Sequence, residues 1–363
     1  MVFIMIEMPV PTDSTLSTVA RALGVTGSVT YSARPLDFEI AAPGTGGLWR
    51  VHIAGANGSA TSVVKALRHP SGWPMLAQLS DSDRAMFLAT FPWSGEPEVL
   101  TELTAVCPVG MRAVGLLGSQ WHGDQLRTMW MEDLGEASAP FTAEQIAGTA
   151  RLLGELAGRR SLAGSAMSEA FEDGFALTMI ARGRVMSGLL PLLSGPTGDA
   201  AGDLVTPELV SDLLRVGEHL EDVLGVVHAL PQTPVHGDAA PENLRQDPRD
   251  PRTIVLIDTA QFPRHAVGYD LGQLLFGRGS PAIAMGEGFI ADVVGQFVRG
   301  LADGGLPTAA ADVWTGFVGS ALIRNGFDVV TPGDDVPDRI ATTRYLIDKA
   351  AELGLLPHRE LTD

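Results

Sequence analysis

Strand-like patterning dominates the first third of the chain. Val29-Thr30-Tyr31 and Leu36 to Ile40 read as short strands, and Leu48 to Ile53 as another. Ala42 to Gly47 between them is rich in Gly and Pro and predicts a turn. Asn57-Gly58 is a strong hairpin dipeptide, followed by the β-branched run Ser62-Val63-Val64-Lys65-Ala66-Leu67. Pro97 sits at a first helical position ahead of Val99, Leu100 and Leu103, and Met111 to Leu117 and Leu126 to Met131 predict two more strands. From Pro140 the period becomes helical. Thr142 precedes Gln145 at capping-box spacing, and Ile146, Ala150, Leu153 and Leu156 recur at helical intervals. Ser194 to Asp199 reads as a loop and Leu209 to Leu230 as an amphipathic run. The tail from Phe289 to Gly354 is helical, with Val313, Phe317 and Ala321 on one stripe. There is no internal repeat. The pattern predicts an α+β chain: a small β-rich unit with one helix over residues 1–133, and a larger helical unit over residues 134–363.

The 363 residues carry a formal charge of −18, which disfavours nucleic acid and anionic membrane surfaces as partners. The lone Cys107 excludes an intramolecular disulfide and a multi-cysteine zinc site, and fits a reducing, cytoplasmic setting. The apolar start, Met1 to Met8, has no basic flank and meets Glu7 and Pro9, so it is not expected to be a signal peptide. No uninterrupted apolar run reaches the roughly 18–20 residues that span a bilayer.

The segment Val235-His236-Gly237-Asp238-Ala239-Ala240-Pro241-Glu242-Asn243-Leu244 is the most informative. Asp238 and Asn243 share a loop containing Gly and Pro. The apolar run Thr253 to Ile257 that follows ends in Asp258. A strand carrying Asp at its tip and a loop presenting Asp and Asn offer hard oxygen ligands of the kind Mg²⁺ takes, together with substrate phosphates and water. In phosphoryl transfer of the kinase type, a loop Asp orients the attacking hydroxyl. The loop Asn and the later Asp hold the metal.

These residues resemble the aminoglycoside phosphotransferase and choline kinase family, the small-molecule branch of the protein-kinase-like fold. His236-Gly237-Asp238, Asn243, Ile257-Asp258, Gly268 and Asp270-Leu271-Gly272 follow in the family's order. The resemblance implies a two-lobe fold and a catalytic Asp238, with Asn243 and Asp258 on Mg²⁺. His236 and Asp270 support the loop, His236 through its ring and Asp270 through backbone N–H groups. Lys65 resembles the strand lysine that pairs the nucleotide phosphates, with Glu96 or Glu98 as its partner and Glu96 favoured. Gly44, Gly46 and Gly47 stand where the family places its phosphate-covering turn. Met131, Glu132 and Asp133 resemble the interlobe hinge, whose backbone binds the purine edge.

The implied reaction moves the γ-phosphoryl group of ATP or GTP to a hydroxyl of a small molecule. An antibiotic is the first expectation for that acceptor, and an amino alcohol, sugar or amino acid the alternative. A catalytically dead kinase-like binding protein is a third reading, against which the intact Lys65, Asp238, Asn243 and Asp258 stand. Asp258 is followed by Thr259-Ala260 rather than Phe-Gly, and no Ala-Pro-Glu follows it, which argues against a protein kinase with an activation loop. A second His-Gly-Asp, His122-Gly123-Asp124, has Met129 where the Asn should be and reads as a hairpin turn. Trp314 and Phe317, at helical spacing, are expected in the core rather than around a quaternary amine, and Arg324 is expected as a surface charge rather than a phosphate contact.

Overall fold

A computed structural model describes residues 6–37, 42–136, 139–164, 173–194, 205–259, 264–277, 280, 282–331 and 335–357. Most of the apolar start at residues 1–8, the end of the strand expected at 36–40, nearly all of the loop expected at 194–199, and Ala260 lie outside these. The chain forms two compact units. One comprises residues 1–105, 111–137 and 245–260; the other, residues 106–110, 138–244 and 261–363.

The first unit is built on a five-stranded sheet in the order β1-β2-β3-β6-β5, antiparallel throughout. Its strands are β1 (Thr30–Pro35), β2 (Thr45–Gly55), β3 (Gly58–Arg68), β5 (Leu116–Trp121) and β6 (Leu126–Glu132). Asn57 makes the β2–β3 hairpin as its dipeptide predicts. Its side chain accepts from Thr26 N–H at 2.7 Å and donates to the Gly24 carbonyl at 2.8 Å. His122 to Asp124 is the β5–β6 turn, with Gly123 at φ +79°.

Among the described residues this unit has three α-helices, not one: α1 (Asp13–Ala22), α2 (Asp81–Thr90) and α3 (Glu96–Val106). The first two open on hydroxyl caps, Thr12 and Ser80, each followed by acidic first-turn residues. Leu16, Val19 and Ala20 of α1 bury one sheet face with Trp49, Val51, Ile53, Val64, Ala66 and Trp130. Side chains alternate along β3, so covering Val64 and Ala66 turns Lys65 to the other face. The run Met111 to Leu117 divides. Its start is β4 (Met111–Ala113), which pairs in parallel with β9 (Ile254–Leu256), itself beside β8 (Leu244–Gln246); its end enters β5. That pairing brings residues 245–260 into the first unit.

The second unit is mainly helical. The capping box of Thr142 and Gln145 opens α4 (Ala143–Ala163). Then come α5 (Phe175–Leu193), α6 (Pro207–Glu218), α7 (Leu220–Ala229), α8 (Tyr269–Phe276), α9 (Ala282–Met285), α10 (Glu287–Asp303), α11 (Ala310–Arg324) and α12 (Val336–Glu352). The single run expected over 209–230 breaks at His219 into α6 and α7. A two-stranded ribbon pairs β7 (Gln232–Pro234) with β10 (Arg264–Ala266). Helix α5 widens to π-type turns over Ile180–Leu189. By length and composition α5 is apolar enough to cross a bilayer, at 19 residues and mean hydropathy 1.2. Its Arg182 and Arg184 are ion-paired with Glu221 and Asp328 of the same unit, and Leu177, Ala181 and Val185 are buried. An antiparallel-sheet unit joined to a larger helical unit is the α+β architecture expected from the sequence.

Candidate active site

In the first unit, Lys65 lies between Leu48 of β2 and Met129 of β6 and is 5% exposed. Its Nζ donates to Glu96 Oε2 at 2.7 Å and to Asp258 Oδ1 at 2.5 Å. Glu96, at the start of α3, is buried, and its second oxygen accepts from Thr259 N–H at 3.2 Å. Burial works against the charge on Lys65; Asp258 and Glu96 more than restore it, so the ammonium is held above its ordinary pKa. Glu98 is not the partner. It faces Arg127 at 2.8 Å and is half exposed. Asp258 takes φ +56°, the only positive φ at a non-glycine among the described residues, immediately beyond β9 and Ile257. Such backbone costs of order 1–3 kcal/mol and persists where the surroundings fix it. The Lys65 contact is one such restraint.

The other residues expected around the nucleotide are placed as follows. Gly46 and Gly47 are not in a turn but inside β2, buried, at a register shift against β3. A Cβ on Gly46 would lie 3.1 Å from Ile6, whose N–H donates to the Gly46 carbonyl. Close passage of the N-terminal segment accounts for glycine there. The Met131 carbonyl accepts from Ser62 Oγ at 2.8 Å, and Glu132 N–H donates to Gly115 O at 2.9 Å. The Glu132 carboxylate pairs with Arg112 and accepts from Gly115 N–H, while Asp133 pairs with Arg50 at 2.8 Å. Both carboxylates therefore brace the end of β6.

In the second unit, Asp238 and Asn243 share the loop after β7. Asn243 Nδ2 donates to the Asp238 carbonyl and to Asp238 Oδ2, each at 3.0 Å. The loop is supported from below by buried Asp270 of α8, which accepts from His236 N–H at 2.8 Å and Gly237 N–H at 2.9 Å. Burial raises the Asp270 pKa; His236 and the two N–H bonds oppose the shift. Gly237 takes φ +90°, which a side chain would strain. The buried ring of His236 accepts from Asp238 N–H through Nδ1 at 3.3 Å. Buried Arg160 of α4 donates to the Val235 carbonyl at 2.7 Å.

Arg324 does not lie where its sequence suggests. Its guanidinium is not a surface charge. It donates from Nη2 to Asp238 Oδ1 at 2.7 Å, and from Nη1 to Gly237 O at 2.6 Å and Tyr269 OH at 2.7 Å. Burial opposes its charge, and Tyr269 and Asp238 more than restore it. Nothing local announces a contact made across 86 residues of chain. Phe317 is fully buried, as its stripe predicts. Trp314 carries Lys349 Nζ 5.4 Å from its ring centre, so its face already holds a cation of this chain.

The structure thus joins Lys65, Glu96 and Asp258 in the first unit, and Asp238, Asn243, His236 and Asp270 in the second. Among the described residues no group of three or more His, Cys, Asp or Glu side chains gathers as a metal site.

No protein-family model matches the chain, and no curated protein is significantly similar to it in sequence. Among solved structures it is similar to an aminoglycoside phosphotransferase from Alicyclobacillus acidocaldarius, with 13% identity, 96% of each chain covered and a TM-score of 0.49. Spectinomycin phosphotransferase, solved with ADP and spectinomycin, has 10% identity over 96% of this chain and 100% of that one, with a TM-score of 0.46. Choline kinase from Streptococcus pneumoniae has 11% identity over 93% and 97%, with a TM-score of 0.46.

Proposed function

We propose that the chain is a small-molecule kinase that moves the γ-phosphoryl group of ATP or GTP to a hydroxyl of an antibiotic. The observation that carries this reading is the buried Lys65 ammonium held at once by Glu96 and Asp258. A charge cluster taken out of water adds little stability by itself, and perturbed ionisable groups concentrate where chemistry is done. The antibiotic acceptor rests on the resemblance of the motifs.

In this reading Lys65 steadies the α- and β-phosphates and Glu96 keeps its ammonium in place. Asp238 accepts a hydrogen bond from the acceptor hydroxyl and takes its proton as the new oxygen–phosphorus bond forms. Positioning and charge stabilisation supply most of the rate. Asn243 and Asp258 would hold Mg²⁺. Their donor set suits it: Asp258 is a half-buried carboxylate, and Asn243, with Nδ2 engaged by Asp238, has Oδ1 as its ligand atom. Bound there, the ion neutralises phosphate charge.

The test is a phosphorylation screen read by mass spectrometry. Purified protein with Mg²⁺ and ATP or GTP should add about 80 Da, one phosphoryl group, to a member of an antibiotic panel. That panel holds aminoglycosides, macrolides, cyclic peptides and nucleoside antibiotics. A shift only on choline, ethanolamine, a sugar or an amino acid would make it a metabolic kinase. No shift, together with no magnesium-dependent nucleotide hydrolysis, would refute phosphotransfer. Asp238→Ala should lower turnover on the order of 10²–10⁴ with the fold intact. Asp258→Ala should abolish magnesium-dependent nucleotide binding in a titration with and without the metal.

A further inference from the structure

We infer that Arg324 is a positioning residue for this transfer, fixing the Asp238 carboxylate against the loop that carries it. The inference rests on the phosphotransfer reading above. Asp238 is held on both sides: Arg324 bonds Oδ1 and Asn243 bonds Oδ2. The same guanidinium ties down the Gly237 carbonyl, so the side chain and the backbone beside it are located by one rigid group. Tyr269 OH shares Nη1, and the guanidinium carbon lies 5.6 Å from the centre of the Tyr269 ring.

The end of α11 is itself anchored. Arg184 donates to the Arg324 carbonyl at 2.7 Å and pairs with Asp328. A lysine in this place would present one point charge in place of a planar fork of donors. Each Asp238 oxygen, with one bond in place, keeps acceptor capacity for a hydroxyl. In the transfer the acceptor proton passes to Asp238. The acceptor oxygen bonds phosphorus as the bond to the nucleoside diphosphate breaks. Arg324 exchanges no proton and supplies orientation.

The experiment measures steady-state, magnesium-dependent hydrolysis of ATP without an acceptor, so that water is the nucleophile. Arg324→Met should lower kcat about 10²-fold and leave the KM for ATP unchanged, because a misplaced catalytic group costs about that much. Arg324→Lys should recover part of the loss. Guanidinium chloride, at concentrations too low to unfold the protein, should restore Arg324→Ala where methylammonium does not. Wild-type kcat in a folded Arg324→Met would overturn the inference. So would a rise in KM with kcat intact, or a guanidinium effect no larger than that of methylammonium. If the methionine variant fails to fold, the lysine variant decides between the same outcomes. A wild-type protein that neither hydrolyses ATP nor phosphorylates any acceptor overturns the reaction and this role together. An active wild type with unaffected Arg324 variants overturns this role alone.

Discussion

Lys65 has two acidic residues to choose from on α3, and burial separates them. Glu96 is 1% exposed and shares its two oxygens between Lys65 and Thr259 N–H. Glu98, two residues on, is half exposed and bonds buried Arg127, which keeps Ser94 O and Ser119 Oγ as acceptors when that carboxylate is lost. Removing one member of a buried ion cluster leaves charge uncompensated and costs about 3–5 kcal/mol, whereas an exposed pair contributes about 0–1 kcal/mol. Asp258 remains on Lys65 when Glu96 is lost, which moves the expected cost to the low end. Glu96→Ala should therefore destabilise the protein by about 3 kcal/mol in urea unfolding, and Glu98→Ala by less than about 1 kcal/mol. Equal losses in the two variants would contradict this division of roles.

At the scale of elements, α4 and α10 cross on glycines. A Cβ on Gly300 would lie 2.0 Å from the Arg151 carbonyl oxygen, and one on Gly154 would lie 2.3 Å from that of Phe297. Neither neighbour is a flexible side chain. Gly300→Ala should cost about 1–3 kcal/mol, the range for overpacking a closed interface. Gly148, also on α4, is exposed with open space around its Cα, so Gly148→Ala should instead stabilise by about 0.4–1 kcal/mol. Thermal unfolding of the two variants should move in opposite directions. Elements defined by neighbouring residues were legible in the sequence: the Asn57-Gly58 hairpin, the Thr142–Gln145 capping box, and the Val313, Phe317, Ala321 stripe. Those fixed by distant partners were not. Met111 to Leu117 is one apolar run, yet its halves join different sheets because β9, distant in the chain, pairs with the first half. Gly46 reads as a turn residue, but Ile6 packs against it. The starts of α1 and α2 carry cap signals, Thr12 and Ser80 before acidic first-turn residues.

Across the whole molecule, the candidate site divides by the same rule. Asp238 and Asn243 sit five residues apart, so their spacing alone places them on one loop. Arg324 has no such local marker. The region around Tyr269 also gives the protein an acid-sensitive point. Buried His265 stacks on Tyr269 with ring centres 3.9 Å apart. Burial, with the charge of Arg324, pushes its pKa down to about 3. The unfolded chain binds this proton near pH 6.5, so stability is present above that value and is lost as pH falls from there toward 3. Between pH 7 and pH 5 the wild type should lose about 2 kcal/mol more than His265→Phe, which keeps a ring for the stack. Chemical denaturation at the two pH values checks this; parallel losses would remove His265 as the cause.

The route of the backbone limits how this protein can be taken apart. The chain changes unit at 105–106, 110–111, 137–138, 244–245 and 260–261. No one nick or fusion junction releases either unit whole. A gene fragment encoding residues 1–133 would be translated without β9, and Lys65 would keep Glu96 but lose Asp258. Chimeras made by grafting one half onto a relative must therefore exchange interleaved pieces.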